Sequence, residues 1–347
     1  MRVSGSFVAA MVLAAAGWLA ASTTVHAQIR IQDHVVSGAD AAMRGFQESD
    51  FPRVHRLAEN LYVVEDLAGP IDSNSAFTTN AMFIITSEGV VVLDAFKNVA
   101  STTKLVDIIK GLTTQPIRYV VIGADHPDHI AGNQAFITAF PNVVFIAHPN
   151  ARINDANRAR VGLYVADNYT LTLGGVDMEI KFLGRAHTAS DLVVYLPQSK
   201  ILWASETFFN GLYPSPGGGR TAYPIEWLQV LHNIDKIGAS LILPNHGFID
   251  SPKVLMAVWE QWVALFESLV SQGRALHARG TALDATDYSI NIGQFQYWYR
   301  AANNLHTMLV RIYAELDGTA VPYVVTKPTP AVDMSGATLR VPPVTRP

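Results

Sequence analysis

The sequence contains no cysteine, and this absence excludes several kinds of chemistry. Without cysteine the chain has no disulfide bonds, no thiol nucleophile and no thiolate ligand for a metal ion or an iron–sulfur cluster. Any metal site must therefore use histidine and carboxylate side chains. The chain has 347 residues, of which 49% are apolar, so it is large enough for one extensive hydrophobic core or two smaller ones.

Charged residues are also scarce. They make up 16% of the chain, and the formal net charge is −4. Proteins that bind nucleic acid usually carry an excess of basic residues, which neutralise phosphate groups. No such excess exists here, so we do not expect a nucleic-acid partner.

The apolar run near the N-terminus is short for a membrane-spanning helix. Residues 7–21 form an unbroken stretch of fifteen apolar and small residues, whereas a spanning helix needs about 20. Arg2 precedes this stretch, and Val25-His26-Ala27 follows it as a small-residue cleavage pattern. We therefore predict a signal peptide over residues 1–27 and a periplasmic or secreted mature protein outside the membrane. An uncleaved anchor is the alternative.

The middle of the chain alternates between short apolar runs and segments with helical periodicity. Strands are predicted at residues 61–64, 81–85, 89–94, 117–122, 143–147, 170–173, 176–183, 192–196, 201–204 and 241–243. Helices are predicted around residues 105–112, 131–140, 150–160 and 225–237. Strands mixed with helices in this way are typical of an α/β layered domain.

The chain becomes helical after Gly247. Apolar residues follow two helical stripes, one from Leu255 to Leu269 and one from Phe295 to Tyr313. Core packing explains these stripes, with a dimer face or a pocket wall as the alternative. We predict an arm over residues 28–53, the main domain over 54–250, a helical extension over 251–320 and a proline-rich tail over 321–347.

One loop carries several metal-binding side chains. His126, Asp128 and His129 lie within four residues, directly after a predicted buried strand and before a helix. Zinc prefers imidazole and carboxylate ligands, and α/β folds tend to place sites at strand ends. His187, Glu206 and His246 also follow predicted strands, so they are candidates for the same site.

These segments resemble the metallo-β-lactamase superfamily. The H-x-H-x-D-H loop of that family matches residues 124–129, except that Ala124 stands where the family has its first histidine. Further matches, in the family's order, are residues 184–188, 205–206 and 244–247. The resemblance extends from about residue 54 to 250. It implies an α/β fold of the four-layer αβ/βα sandwich type, here with a C-terminal helical extension.

The resemblance also implies a ligand set. The first metal site of the family would keep only His126 and His187, because Ala124 cannot bind a metal. The second site would be complete, with three ligands and a carboxylate in the bridging position: Asp128, His129, His246 and Glu206. We therefore expect one tightly bound zinc ion in the second site. A second ion, or another divalent metal, is left open.

The function implied by the resemblance is that of a zinc-dependent hydrolase. A metal-bound hydroxide, oriented by Asp128 as the catalytic residue, would attack the carbonyl of a lactam, lactone, ester or thioester. Asn80 and Tyr213 are expected to contact this small-molecule substrate, and the glycine-rich and aromatic segment 208–220 suits a lid. The alternative is a non-catalytic metal- or ligand-binding protein that has lost the first metal site. The oligomeric state is left open.

Overall fold

Two β-sheets pack face to face, with helices on their outer faces. The structure is a computed structural model, and it describes residues 38–71, 76–153, 160–217, 221–286 and 289–320. The predicted signal peptide and proline-rich tail lie outside these residues. The architecture confirms the predicted αβ/βα sandwich with C-terminal helices.

The first sheet has seven described strands, arranged in chain order. Strands β1 to β4 run antiparallel, and β4 to β7 run parallel. Helix α1 (Val99–Leu112) joins β4 to β5, and helices α2 (Pro127–Ile130) and α3 (Asn133–Ala139) join β5 to β6. The strands are β1 Arg53–Ala58, β2 Leu61–Leu67, β3 Thr78–Thr86, β4 Gly89–Leu93, β5 Ile117–Val121, β6 Val144–Ala147 and β7 Val161–Tyr164.

The second sheet has five described strands in the order β12-β11-β10-β9-β8. Strands β11 and β12 are parallel and are connected by helix α4 (Pro224–Asp235), whereas the other pairs are antiparallel. The strands are β8 Asn168–Leu173, β9 Val176–Phe182, β10 Leu192–Leu196, β11 Ile201–Trp203 and β12 Leu241–Leu243.

Two apolar layers hold the sandwich together. Between the sheets, side chains such as Leu93 and Val121 of the first sheet meet Ile180 and Trp203 of the second. On the other face of the first sheet, a second layer packs against α1 and α3. Strand β4 is buried along its whole length, and its sequence is accordingly a continuous apolar run.

The C-terminal helices are α5 (Pro252–Ala278) and α6 (Ala301–Leu316). Helix α5 begins at a Ser251 cap, whose hydroxyl accepts from the amide of Val254 at 3.4 Å. Its length and hydropathy alone would allow it to cross a membrane. In the fold, however, one face of this helix is buried, including Leu255, Trp262 and Phe266, as the apolar stripe predicts.

The prediction of a helix over residues 150–160 is wrong in its described part. Residues 150–153 are not helical, residues 154–159 lie outside the described part, and β7 begins at Val161. The backbone amides find other partners, since Asn150 donates to Nδ1 of His148 at 3.1 Å and Arg152 donates to Asp125 at 2.7 Å. Local side-chain acceptors of this kind compete with helix formation.

Candidate metal centre

The six predicted metal ligands come together at one edge of the sandwich. His126, Asp128 and His129 follow β5 in the first sheet. The other three follow strands β9, β11 and β12 in the second sheet, and they are His187, Glu206 and His246. Their ligand atoms form two groups, one of Asp128, His129, Glu206 and His246 and one of His126, His187 and Glu206. Within each group all the atoms lie within 4.8 Å of one another.

Glu206 lies at the centre and belongs to both groups. Its Oε1 is 3.3 Å from Nε2 of His129 and 3.2 Å from Nε2 of His246. Its Oε2 is 2.8 Å from Nδ1 of His126 and 2.9 Å from Nδ1 of His187. Neither contact to Oε2 has the alignment of a hydrogen bond. One carboxylate therefore faces all four imidazoles, two with each oxygen.

Asp128 marks the open side of the cluster. Its side chain is 24% exposed, whereas those of Glu206 and His129 are 2% and 0% exposed. Its Oδ2 lies 3.7 Å from Nε2 of His129 and 3.6 Å from Nε2 of His246. Of the six side chains, that of Asp128 is therefore the most accessible to solvent.

Hydrogen bonds outside the cluster orient two of the rings. Nδ1 of His246 lies 3.0 Å from the carbonyl of Thr78 and must donate to it, which leaves the Nε2 lone pair facing Glu206. The hydroxyl of Thr221 donates to the carbonyl of His187 at 3.0 Å and lies 3.1 Å from Nε2 of His126. Because that hydroxyl proton is already used, Nε2 of His126 donates to the hydroxyl oxygen, and Nδ1 faces Glu206.

The segment that carries Thr221 lies directly over His126. Gly217 has a φ of +76°, and a Cβ at this position would be 2.8 Å from Cε1 of His126. Only glycine tolerates both the backbone conformation and the close approach. The predicted lid segment 208–220 thus contacts the site at Gly217, although residues 218–220 lie outside the described part.

The electrostatics of the cluster favour bound positive charge. Burial opposes ionisation of Glu206, but His126, His187 and His129 more than offset it and hold the pKa of Glu206 well below its usual range. Burial likewise disfavours a charged His129, but Asp128 and Glu206 outweigh this and raise the pKa of His129. A site that stabilises positive charge beside a buried carboxylate also suits a divalent cation.

Unpartnered polar atoms support the same fit. Both ring nitrogens of His187 and Nδ1 of His129 are buried without a hydrogen-bond partner among the described residues. Buried polar atoms are usually paired, so orphaned imidazole nitrogens beside a buried carboxylate fit a metal-binding donor set. The nitrogen and carboxylate-oxygen donors are those that zinc prefers.

Sequence reasoning missed Asp94, which holds the loop of His126 in place. Its Oδ1 accepts from the amide of Gly123 at 2.7 Å, and its Oδ2 accepts from Nδ2 of Asn245 at 2.8 Å. It therefore ties the loop before His126 to the loop before His246. Burial raises the pKa of Asp94 to about 6, against the opposing effect of His129. Its position at the end of β4 is the signal that could have identified it.

The two predicted substrate contacts lie in buried positions. Asn80 is fully buried, and its Nδ2 donates to the carbonyls of Pro244 at 3.0 Å and Gly247 at 2.8 Å. These bonds give Asn80 a role in holding the His246 loop. Tyr213 is also fully buried, and burial raises the pKa of its hydroxyl, which has no hydrogen-bond partner among the described residues. Substrate contact by either residue stays a prediction.

Comparison with known proteins supports the family assignment. A family model described as the metallo-beta-lactamase superfamily matches residues 75–246. A metallo-beta-lactamase type 2 from Elizabethkingia meningoseptica is 24% identical over 190 residues, which cover 55% of this chain and 76% of that protein. Another, from Bacillus sp. (strain 170), is 25% identical over 209 residues, which cover 58% and 79%.

Solved structures show the same fold. A metallo-beta-lactamase from Pontibacter korlensis aligns with a TM-score of 0.52 at 22% identity, covering 60% of this chain and 98% of that one. The metallo-beta-lactamase IND-7 also aligns with a TM-score of 0.52, at 20% identity, covering 60% and 97%. The chain belongs to the metallo-β-lactamase superfamily. At the level of the family it is therefore a metal-dependent hydrolase.

Proposed function

We propose that this chain is an exported zinc-dependent hydrolase that acts on a small molecule with a lactam, lactone, ester or thioester carbonyl. The observation that carries the proposal is the central carboxylate of Glu206, which faces four histidines beside the partly exposed Asp128. The relatives named metallo-beta-lactamases make a β-lactam the first substrate to test.

The ligands divide into a stronger and a weaker set. Asp128, His129 and His246 supply two imidazole nitrogens and a carboxylate oxygen, with Oε1 of Glu206 as a fourth donor. His126 and His187 share only Oε2 of Glu206, because Ala124 offers no ligand atom. We expect one tightly held metal ion, in the first of these sets. Zinc, when bound there, lowers the pKa of a coordinated water and polarises a carbonyl oxygen.

The chain's own residues orient the reactants around this site. Asp128 is the partly exposed carboxylate, so its free oxygen can accept a hydrogen bond from the attacking water and take its proton. His126 and His187 contact the other oxygen of Glu206 and thereby fix the direction of that carboxylate. Thr78 and Thr221 orient the rings of His246 and His126.

Metal stoichiometry and substrate turnover together test the proposal. The purified chain should bind about one zinc ion per chain by elemental analysis, and it should hydrolyse at least one of a chromogenic cephalosporin, a lactone, a nitrophenyl ester and a thioester. Chelation should abolish turnover, and added zinc should restore it. A chain that binds no zinc would contradict the proposal.

The second candidate function is a metal- or ligand-binding protein without catalysis. The presence of Ala124 in the first site favours it, because a two-metal mechanism would lose one ligand there. This candidate predicts a zinc-loaded chain with no turnover of any member of the panel. Zinc binding with turnover would exclude it.

Export is the remaining part of the proposal. It depends on the apolar run and the cleavage pattern ending at Ala27, which predict a mature N-terminus at Gln28. Mass spectrometry of periplasmic or secreted material tests it. An intact Met1 on membrane-associated protein would contradict cleavage and support an anchor.

A further inference from the structure

Two tryptophans donate hydrogen bonds to one backbone carbonyl beside the metal centre. Nε1 of Trp227 lies 3.0 Å from the carbonyl oxygen of Thr207, and Nε1 of Trp262 lies 2.9 Å from the same atom. Thr207 directly follows Glu206 in the short 3-10 turn Ser205–Thr207. A carbonyl oxygen has two lone pairs, so these two indoles use both of them.

The two indoles come from different parts of the chain. Trp227 lies in α4, and Trp262 lies in α5, the first helix of the C-terminal extension. Both are fully buried, and their ring centroids are 5.9 Å apart. Trp227 also packs against the ring of His187 at 5.4 Å. The donors therefore stand on rigid, packed elements, and together they fix the position of the Thr207 carbonyl.

The turn that carries Glu206 needs such support. Ser205 has a φ of +51°, in the left-handed region that residues other than glycine rarely adopt. Backbone in this region persists where the surrounding structure holds it. The hydroxyl of Thr207 also donates to the carbonyl of Ala204 at 2.6 Å. The indole N–H groups of Trp227 and Trp262, which donate to the Thr207 carbonyl, therefore help to hold the turn in the conformation that directs Glu206 toward the histidines.

Helix α6 and Tyr299, two residues before it, hold the chain on either side of the segment that covers His126. The carbonyl of Tyr299 accepts from the amide of Tyr213 at 2.9 Å, and Nδ2 of Asn304 donates to the carbonyl of Tyr213 at 3.3 Å. Nε of Arg311 donates to the carbonyl of Ala222 at 2.7 Å, beside Thr221. The C-terminal extension thus contacts the segment both before and after the part that covers His126.

We propose that the C-terminal helical extension is a working part of the metal centre, with Trp262 as a positioning residue for Glu206. The indole N–H of Trp262 fixes the Thr207 carbonyl, and this fixes the carboxylate that faces all four histidines. The inference rests on the proposed function, because it assumes that Glu206 contributes to metal binding. It assigns part of the site to a segment outside residues 75–246, which the family model matches.

The chain supplies a matched control on the same helix. Trp259 is 2% exposed, close to the full burial of Trp262, and it also packs against the ring of Phe208. Its Nε1 donates to Asp235 at 2.7 Å and not to Thr207. Trp262→Phe and Trp259→Phe therefore remove the same atoms from the same helix, but only the first removes a donor from the turn of Glu206.

Zinc affinity and the spectrum of the cobalt-loaded protein distinguish two roles for Trp262, namely positioning of Glu206 and packing in the core. In Trp262→Phe we expect zinc affinity, measured by competition with a chromophoric chelator, to fall by about tenfold or more, as for other residues that orient ligands. The visible absorption bands of the Co²⁺-loaded protein should also shift. In Trp259→Phe the affinity should stay within about twofold of wild type and the bands should not move. Equal effects in the two variants, or wild-type affinity and bands in Trp262→Phe, would overturn the inference.

A second variant covers the case in which Trp262→Phe does not fold. Site-specific replacement of Trp262 by 3-benzothienylalanine keeps the size and shape of the ring and replaces the N–H by sulfur. The same loss of zinc affinity is expected, and wild-type affinity would overturn the inference. Failure of the wild-type chain to bind zinc would overturn the proposed function as well, so the two failures can be told apart.

Discussion

Arg152 forms a bidentate ion pair with Asp125, the residue between Ala124 and His126. Nη2 of Arg152 lies 2.8 Å from Oδ1 of Asp125, and Nε lies 3.0 Å from Oδ2. The backbone amide of Arg152 donates to the same carboxylate at 2.7 Å. Asp125 thus turns away from the metal centre, and its three hydrogen bonds fix the loop from the outside.

Replacing Asp125 by asparagine should destabilise the fold. The Asp125 side chain is 2% exposed and that of Arg152 is 24% exposed, and removing the charge of one partner from a buried pair costs about 3 kcal/mol. Urea denaturation should show a loss of this order in the free energy of unfolding. Glu226→Gln is the control, because its pair with Arg185 is more exposed, at 40% and 34%, and such pairs contribute less than about 1 kcal/mol. Equal losses in both variants would refute the assignment.

The buried ring of His148 should make stability depend on pH. Burial lowers the pKa of His148 to about 4, and the ring stacks on Phe182 with centroids 4.0 Å apart. The folded state therefore holds this imidazole neutral. Its contribution to stability is complete above the unfolded pKa of about 6.5, and it is lost as the pH falls from there toward 4.

The measurement compares His148→Gln with wild type, both in the presence of a chelator. Between pH 7.5 and pH 5, wild type should lose about 2 kcal/mol more of its free energy of unfolding than the variant does. The variant also loses the stacking on Phe182, which shifts its stability at all pH values, so the informative quantity is the difference in pH dependence. Parallel curves for the two proteins would contradict the prediction.

Removal of a ligand from the stronger set should abolish metal binding. Asp128→Ala and His246→Ala each take one donor from a set of four, so we expect zinc affinity to fall by more than about 100-fold and turnover to disappear. His232→Ala is a suitable control, because that histidine faces Glu267 at 3.2 Å on the exposed side of α4. Wild-type zinc content in either site variant would show that the ligands are assigned wrongly.

Adding the absent histidine should create a second tight site. In Ala124→His the first group would contain three histidines and Oε2 of Glu206, a full set of four donors for zinc. Elemental analysis at low zinc concentration should rise from about one to about two ions per chain. Two tightly bound ions in the wild-type chain would instead show that His126, His187 and Glu206 suffice without a further ligand.

Most of the fold follows from patterns that are visible in the sequence. The predicted positions of strands β2 to β6 and β8 to β12 agree with the structure, and central strands such as β4 and β10 are buried along most of their length. Two described strands were not predicted. Strand β1 (Arg53–Ala58) alternates between exposed and partly buried residues, and β7 (Val161–Tyr164) has one fully buried residue. Both lie at the edges of the first sheet. Edge strands bury fewer side chains, so their sequences show a weaker apolar pattern.

The grouping of the six candidate side chains was predictable, but their arrangement was not. The six ligand candidates could be named because each follows a predicted strand. In α/β folds, sites tend to form where the ends of several strands meet at one edge of the sheet. The central place of Glu206 could not be predicted, because it depends on a left-handed turn at Ser205 and on side-chain length. Thr221 and Trp262 approach from segments far along the chain and carry no motif of their own.

The six proposed ligands divide evenly between the two halves of the sandwich. Three follow β5 in the first sheet, and three follow strands of the second. The loop of His246 also joins the sheets through backbone bridges to Thr79 and Phe209. A cation held here acts as a non-covalent cross-link between the halves, in a chain that has no disulfide bonds. The separated halves cannot form this cross-link, so the metal would bind the folded state alone. The melting temperature should therefore rise with the free metal concentration by mass action. Thermal unfolding would then report the fraction of chains that hold a metal ion.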